Sequence, residues 1–396
     1  MRKTLAFVSL SLGIALINPI WSVFAQQVPE LTPIPIPVPG QPENLPPPQP
    51  SQPQEVLPSL VPVDVGTTCN TSYSCLGWDE QIWGGNGIGD RKALLTAIDN
   101  SLRYLTTDKA IAVYQNYPIR EITLERVRRT LQRFRQLVVN SQSPAQLQAA
   151  VSREFVFYKS VGNDGNGTVK FTAYYEPVYL ASRVRTSVYK YPVYRLPPNF
   201  DKWAKPHPKR IDLEGKNGLP GNKSPLRGLE LFWFRNRLDA YMVQIQGSAQ
   251  LKLSNGTTTS VGYAGGTDYP WTSIGGQLAK DGKLPLKGLT MPVLLNYFQQ
   301  NPKEMDNYLP RWERFVFFKE TGGTPATGSI RVPVTAERSI ATDKSVMPPG
   351  ALALINTSLP YPAPGGKLEY RTVNRYVLDQ DTGSAIKGPG RVDYFM

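Results

Sequence analysis

Acidic residues close to the C-terminus are the groups through which this chain could do chemistry. An apolar, strand-forming run, Tyr376-Val377-Leu378, leads into Asp379 and Asp381, a Gly-rich turn follows, and a second short run carries Asp393 between Val392 and Tyr394. A tight Gly/Pro loop folds its two arms together, so its ends can aim carboxylates into one cleft. Two acids that approach each other separate in pKa, which leaves one able to donate a proton near neutrality. The same stretch equally suits a hairpin with solvated acids.

The rest of the composition narrows the choice. One histidine and two cysteines in 396 residues argue against a His-based metal site or a Ser-His-Asp triad, because both need a positioned imidazole. No metal or cofactor is expected. His207 lies in Lys205-Pro-His-Pro-Lys-Arg210, a loop composition that predicts a surface position. Gln246-Gly247-Ser248-Ala249 lacks the pattern of a nucleophile elbow, and Asn86-Gly-Ile-Gly89 is a turn and not a phosphate loop. Any proton transfer therefore falls to carboxylates, and the candidates beside Gly, Pro or aromatic residues are Glu176, Asp268, Asp343, Asp381 and Asp393. Tyr174, Tyr175, Tyr263, Tyr269, Trp271 and Tyr394 accompany them. Acids to protonate an ether oxygen and flat rings to pack on sugar faces are the requirements of glycoside chemistry. Aromatic residues in β-rich chains also fill cores, and that reading stands beside the first.

The elements that must position these groups follow from patterning. Met1-Arg2-Lys3, an apolar run from Leu5 to Ile17 and the small-residue end Val23-Phe24-Ala25 have the plan of a secretory signal peptide over 1–25. The run is short for a membrane span. Prolines crowd residues 26–63, predicting an extended linker that lacks the N–H groups helices and sheets use. In an exported chain Cys69 and Cys75 suit one local disulfide, with two free thiols as the alternative. The net charge of +13 points to an anionic extracellular polymer or surface and not to nucleic acid. Part of that charge is plain solvation, since Arg126, Arg128, Arg129, Arg133 and Arg135 alternate with an apolar stripe at Leu124, Val127, Leu131, Phe134 and Val138. Trp78 and Trp83 are expected to anchor a turn-rich stretch.

Helices are predicted on the apolar face of Ala93, Leu94, Ala97, Ile98, Leu102 and Leu105, over Leu124–Val139, and after the capping box Ser143-Pro144-Ala145-Gln146. Beyond Phe155 the pattern turns to β. Strands are predicted at Val169–Tyr175, Tyr189–Arg195, Leu229–Phe234, Leu238–Ile245, Leu251–Leu253, Thr257–Tyr263, Arg314–Lys319, Ile330–Thr335, Ala351–Ile355 and Tyr370–Leu378, with a helical interlude near Pro292–Gln300. Many short strands divided by Gly, Asn and Pro suggest small closed or nearly closed barrels.

Six motifs in order then carry a resemblance. Phe171-Thr-Ala-Tyr-Tyr-Glu-Pro177, Val243-Gln-Ile-Gln-Gly-Ser248, Gly262-Tyr-Ala-Gly265 with Pro270-Trp-Thr-Ser-Ile-Gly275, Phe315-Val-Phe-Phe318, Val332-Pro-Val-Thr-Ala336 with Ser339–Pro349, and Gln380–Asp393 make residues 69–396 similar to the membrane-bound lytic murein transglycosylase A family, including its C-terminal three-aspartate module. The resemblance implies a mainly β fold with N-terminal helices, in which a double-psi β-barrel formed from 64–177 and 321–396 carries an inserted second β-barrel at 178–320. It implies a peptidoglycan glycan strand in the groove between them and cleavage between N-acetylmuramic acid and N-acetylglucosamine with 1,6-anhydro products. Asp343, Asp381 and Asp393 match the three aspartates, Asp393 matches the catalytic one and Asp381 a supporting one. Glu176 matches a position that is not acidic in every member.

Groove-lining contacts are expected from Tyr174, Tyr175, Glu176, Gln246, Ser248, Tyr263, Trp271 and Ser273, with substrate hydrogen bonds from Ser273 and from the backbone of Gly383 and Ser384. Two features depart from the family pattern: no cysteine follows the signal-like segment to take a lipid anchor, and the chain stops at Met396, three residues past Asp393. The first predicts periplasmic residence, with retention by an uncleaved signal as the alternative and the outer-membrane surface or wall-remodelling proteins as further partners. The second favours an alternative, a non-catalytic peptidoglycan-binding protein using the same groove; a glucan hydrolase acting with water is a third reading.

Overall fold

The computed structural model describes residues 58–63, 77–84, 89–364 and 368–396. The signal-like segment, most of the Pro-rich stretch and both cysteines lie outside the described residues. The C-terminal end of the Pro-rich stretch forms strand β1 (Leu60–Val63).

A helical layer comes first: α1 (Arg91–Tyr104), α2 (Asp108–Gln115), α3 (Leu124–Asn140) and α4 (Pro144–Glu154). α1 and α3 bury the expected stripes, Leu94, Ala97 and Ile98 on one and Val127, Leu131, Phe134 and Val138 on the other. Side-chain oxygens of Thr107, Thr123 and Ser143 accept the orphan N–H groups that open α2, α3 and α4. Pro144 sits in the first turn of α4, and Gln146 Oε1 accepts from the N–H of Gln142, one residue before the cap. The arginines of α3 are surface groups, paired where Arg133 meets Glu154 and Arg135 meets Asp99. Exposed pairs of this kind contribute about 0–1 kcal/mol each.

The chain then becomes β. β2 (Phe157–Ser160) pairs antiparallel with β1, from Leu60 opposite Ser160 to Val63 opposite Phe157. β3 (Lys170–Tyr174) ends at the motif Tyr175-Glu176-Pro177, after which β4 (Val178–Ser182) enters a separate six-stranded sheet. That sheet is built with β5 (Tyr191–Tyr194), α5 (Arg210–Glu214), β6 (Glu230–Phe234), α6 (Arg237–Gln246), β7 (Ser248–Leu253), β8 (Thr258–Gly266), α7 (Ile274–Lys280), α8 (Met291–Gln300), α9 (Met305–Tyr308) and β9 (Val316–Glu320). Its strand order is β5-β6-β4-β7-β8-β9, and a bridge from Arg195 to Phe318 draws the two edge strands together, as in a nearly closed barrel.

β10 (Ser339–Ala341), β11 (Leu352–Pro362), β12 (Leu368–Asp381) and β13 (Arg391–Phe395) complete a second, five-stranded sheet in the order β11-β12-β10-β13-β3. The architecture is mainly β with helices at the N-terminal side. The helical layer packs on the inner end of β12, where the Phe134 and Tyr376 rings lie 4.6 Å apart between centroids.

Three expectations are corrected. Leu238–Ile245 is helix α6: Asn236 accepts from the N–H of Asp239, and Gly247 closes the helix at φ 80°. Leu238, Ala240, Tyr241, Met242, Val243 and Gln244 are all buried, so no polar face betrays the helical period and the β-forming side chains mislead. Ile330–Thr335 forms no strand beyond a single bridge from Pro333 to Thr327, as expected where proline removes a ladder donor. His207 is 7% exposed and not a surface residue. It packs against Phe200 at 4.7 Å, and the Tyr269 hydroxyl donates to its carbonyl at 2.6 Å.

Candidate active site

The five-stranded sheet aligns the aspartates. Ala341 of β10 pairs with Asp381 of β12 on one side and with Asp393 of β13 on the other, and Asp393 pairs in turn with Thr172 of β3. Residues directly opposite on adjacent strands project to the same face. Strand spacing places the two aspartate backbones roughly 10 Å apart, two strand widths. The methyl group of Ala341 between them leaves room for the carboxyl groups to lean towards each other.

A bulge in β12 sets this register: Ile340 faces Asp379 while its neighbour Ala341 already faces Asp381. The extra residue, Gln380, turns into the helical layer, where its amide donates to Ala97 O at 2.7 Å and Ser101 Oγ at 3.0 Å and its carbonyl accepts from Ser339 Oγ at 2.6 Å. Bulges re-aim side chains in this way, and here the bulge brings Asp381 opposite Ala341 and so into the row.

The two carboxyl groups have different partners. Asp381 Oδ1 accepts from the N–H groups of Ser329 at 2.9 Å and Thr382 at 2.8 Å, and Oδ2 accepts from the Tyr174 hydroxyl at 2.9 Å. Burial raises its pKa, and those three donors work against the rise. Asp393 Oδ1 accepts from the Thr172 hydroxyl. Burial is the main cause of its raised pKa, opposed by Thr172 and Arg391 and reinforced by Asp381. Three donors on two oxygens, two of them backbone N–H groups that can only donate, favour Asp381 in its ionised form. Asp393 is engaged on Oδ1 alone, by a hydroxyl that can also accept, so its Oδ2 can carry a proton with that hydrogen bond kept.

Asp343 stands apart from that row. Its Oδ1 accepts from the N–H and hydroxyl of Ser345 at 3.1 and 2.7 Å, and its Oδ2 from the N–H of Gly388 at 2.9 Å. Burial would raise its pKa, but these hydrogen bonds outweigh it and hold the group below the usual carboxylate range. It ties the loop after β10 to the loop between β12 and β13, where Gly383 O accepts from the N–H of Ile386.

The other expected residues divide between two places. Tyr174 joins the aspartate row. At the junction of the sheets, the N–H of Tyr175 donates to Gln246 Oε1 at 3.2 Å, and Glu176 Oε2 accepts from Gln250 Nε2 at 3.0 Å. The other Glu176 oxygen is buried without a hydrogen-bond partner, and burial raises this acid. Ser248 opens β7 opposite Gly262. Tyr263 is 50% exposed and accepts from Arg314 at 3.2 Å. Trp271 lies edge-on to buried Trp312, with centroids 4.9 Å apart, and Ser273 Oγ caps α7 by accepting from Gly276. Asp268 is engaged with His207. A recess of about 290 Å³ beside Arg195, Leu196 and Phe318 lies on the six-stranded sheet, away from the aspartate row.

Sequence reasoning missed two parts of the site. Thr172 was visible only as the residue two before Tyr174, and hence on its face of β3. Asp379 stood out in the sequence as an acid, but its partners Lys344 and Thr342, with which it forms a polar group next to Asp381, did not. Thr342 Oγ1 lies 2.9 and 2.8 Å from the two Asp379 oxygens, and the Lys344 ammonium donates to Asp379 and to Thr342 Oγ1.

Comparison with known proteins accounts for both sheets. Residues 170–319 match the MltA specific insert domain and residues 338–396 match the 3D domain. A membrane-bound lytic murein transglycosylase A homolog of Buchnera aphidicola is 32% identical over 233 residues, 58% of this chain and 61% of that protein. The chain belongs to the membrane-bound lytic murein transglycosylase A family.

The Escherichia coli K12 member is 29% identical over 229 residues, 57% of this chain and 59% of its own length. The chain thus spans about three fifths of the length of these curated relatives. Among solved family structures, E. coli MltA with bound chitohexaose superposes with a TM-score of 0.56 at 25% identity, covering 75% of this chain and 83% of that one. A membrane-bound lytic murein transglycosylase from Agrobacterium tumefaciens gives 0.58 at 24% identity, covering 78% and 86%, and supports the fold alone. No helix of the described residues is long and apolar enough to cross a membrane.

Proposed function

We propose that this MltA-family chain is a lytic transglycosylase of peptidoglycan, with Asp393 as its single acid and base. The observation that carries the reading is the row Asp381-Ala341-Asp393-Thr172, in which the two acids have unlike partners. Asp381 is the carboxylate, and its charge together with burial keeps Asp393 protonated. Asp393 then protonates the oxygen linking N-acetylmuramic acid to N-acetylglucosamine, and positive charge grows at the anomeric carbon. The ionised Asp393 next takes the proton of the muramic 6-hydroxyl, whose oxygen attacks that carbon to close the 1,6-anhydro ring. A hydroxyl held within the same sugar has a very large effective concentration, so no second carboxylate is needed to activate water.

In this reading the strand lies between the two sheets, with 178–320 as an inserted body on a catalytic barrel of 64–177 and 321–396. Tyr175, Glu176, Gln246, Ser248 and Tyr263 line its path. Trp271 and Ser273 shape the wall indirectly, one as a packed ring and the other as a helix cap. Asp343 positions the Gly383 loop and takes no part in proton transfer. The chitohexaose bound to the E. coli relative supports a glycan in the groove. The signal-like N-terminus and the membrane-bound relatives support residence in the periplasm.

The test incubates the mature protein, and separately Asp393→Asn, with purified sacculi and reads the released fragments by mass spectrometry. Anhydromuropeptides from the first and none from the second are expected. Release of reducing ends would indicate a hydrolase, and binding without release from either form would indicate a wall-binding protein.

A further inference from the structure

We propose that the buried Lys344–Asp379 pair is a positioning device that sets the working pH of the Asp381–Asp393 couple through its charge. The proposal rests on the transglycosylase reading above and adds a residue pair to it.

The geometry comes first. Asp379 lies on β12 two residues before Asp381, its side chain 5% exposed, and Lys344 lies two residues beyond the Thr342 that follows β10, its side chain 18% exposed. Thr342 links them, within hydrogen-bond distance of both Asp379 oxygens and 3.2 Å from the Lys344 ammonium. Thr342 is also bound to the site on its other side: its N–H donates to Asp381 O at 3.1 Å, and its carbonyl accepts from the Thr382 hydroxyl at 2.7 Å. The pair is therefore built into the strand ends that carry the acids.

A lysine and an aspartate buried together cost desolvation that surface pairs avoid, and one without the other would cost more. An apolar pair would fill the space at no such cost, so charge is what this arrangement adds. The surrounding groups make that charge count. Asp343 and Asp381 face the ammonium along with Asp379, Tyr174 of β3 stands beside Asp381, and Arg391 and Asp393 of β13 complete the acid row. On the helical side Tyr104 and Tyr114, with Tyr117 just beyond α2, face Asp379 as neutral phenols. Lys344 is thus the cation drawn to Asp381 from the β10 side, and Asp379 is the anion that balances it.

The signs follow. Asp379→Asn leaves the ammonium uncompensated, favours both site carboxylates in their ionised forms and moves the bell-shaped activity profile to lower pH. Lys344→Gln leaves a buried anion, disfavours ionisation of both acids and moves the bell to higher pH. Burial makes each displacement roughly one pH unit.

The experiment measures kcat/KM against pH on sacculi for the wild-type protein, Asp379→Asn, Lys344→Gln, the double variant and Lys344→Arg. It also follows the side-chain carboxyl signals of the aspartates by carbon NMR across the same pH range. Opposite displacements in the two single variants, cancelled in the double variant and absent in Lys344→Arg, are expected. Profiles of reduced height but unmoved position would overturn the proposal and leave the pair a structural one. Should one single variant fail to fold, the other carries the same test with its own sign. Carboxyl titrations displaced as expected in a protein that releases no anhydro products would uphold the pair's field and overturn the transglycosylase reading instead.

Discussion

Asp393 and Asp381 show how far neighbours and not residue type assign a role. Both carboxyl groups are buried and both are raised, yet three donors, two of them backbone N–H groups, hold both oxygens of Asp381, whereas Asp393 takes one hydroxyl donor on a single oxygen. Replacing Asp393 with Asn is expected to lower kcat by about 10²–10⁴-fold, the usual worth of a general acid, in an assay of anhydro-product release. Thr172→Val removes a hydrogen bond that favours ionised Asp393, so its pKa rises further and the alkaline limb of the kcat/KM profile moves to higher pH. Asp343 behaves in the opposite sense. Its folded pKa is lowered, so its contribution to stability is complete above the ordinary carboxylate value and is lost as pH falls through the lower folded one. Asp343→Ala should therefore destabilise by about 1–3 kcal/mol near neutrality, with the difference in urea midpoint shrinking in acid.

At the scale of elements, the bulge in β12 is the device that matters. It turns Gln380 into α1 and Asp381 into the site, so one irregularity locks the active strand to the helical layer. Gln380→Ala removes the acceptor of the Ser339 hydroxyl and the donor to Ala97 O and Ser101 Oγ and should cost about 1–3 kcal/mol by chemical denaturation. It should also lower kcat more than it changes KM, because Asp381 loses its register while the groove at the sheet junction is untouched.

Across the whole molecule, the two sheets are joined by the chain leaving β3 and the chain returning from β9, with Tyr175, Glu176, Gln246 and Gln250 between them. The N-terminal segment is fastened elsewhere. Arg338, fully buried, pairs with Asp79 and Asp90 at 2.6 Å each and donates to Tyr376 O at 2.8 Å. Arg338→Met removes the cation of Asp90 and leaves fully buried Asp79 only the more distant Arg375, at 3.8 Å, and should cost about 3–5 kcal/mol, read as a fall in the denaturation midpoint. That loss should reach the aspartate row, since Arg338 immediately precedes β10.

The sequence by itself determined the helical stripes of α1, α3 and α4, the capping at Ser143, most strands, and the acids and motifs that mark the family. These rest on local periodicity and on residue chemistry, which a single chain displays in order. It misread α6, whose burial on every side erases the amphipathic pattern, and His207, whose loop composition hides the aromatic pocket that Phe200 and Trp203 form around it. Only the tertiary structure decided that Thr172, Ala341, Asp381 and Asp393 share one row, and that Lys344 meets Asp379 beside it. Those alignments depend on strand order and on a one-residue bulge, and a register is fixed by pairing between segments far apart in the chain.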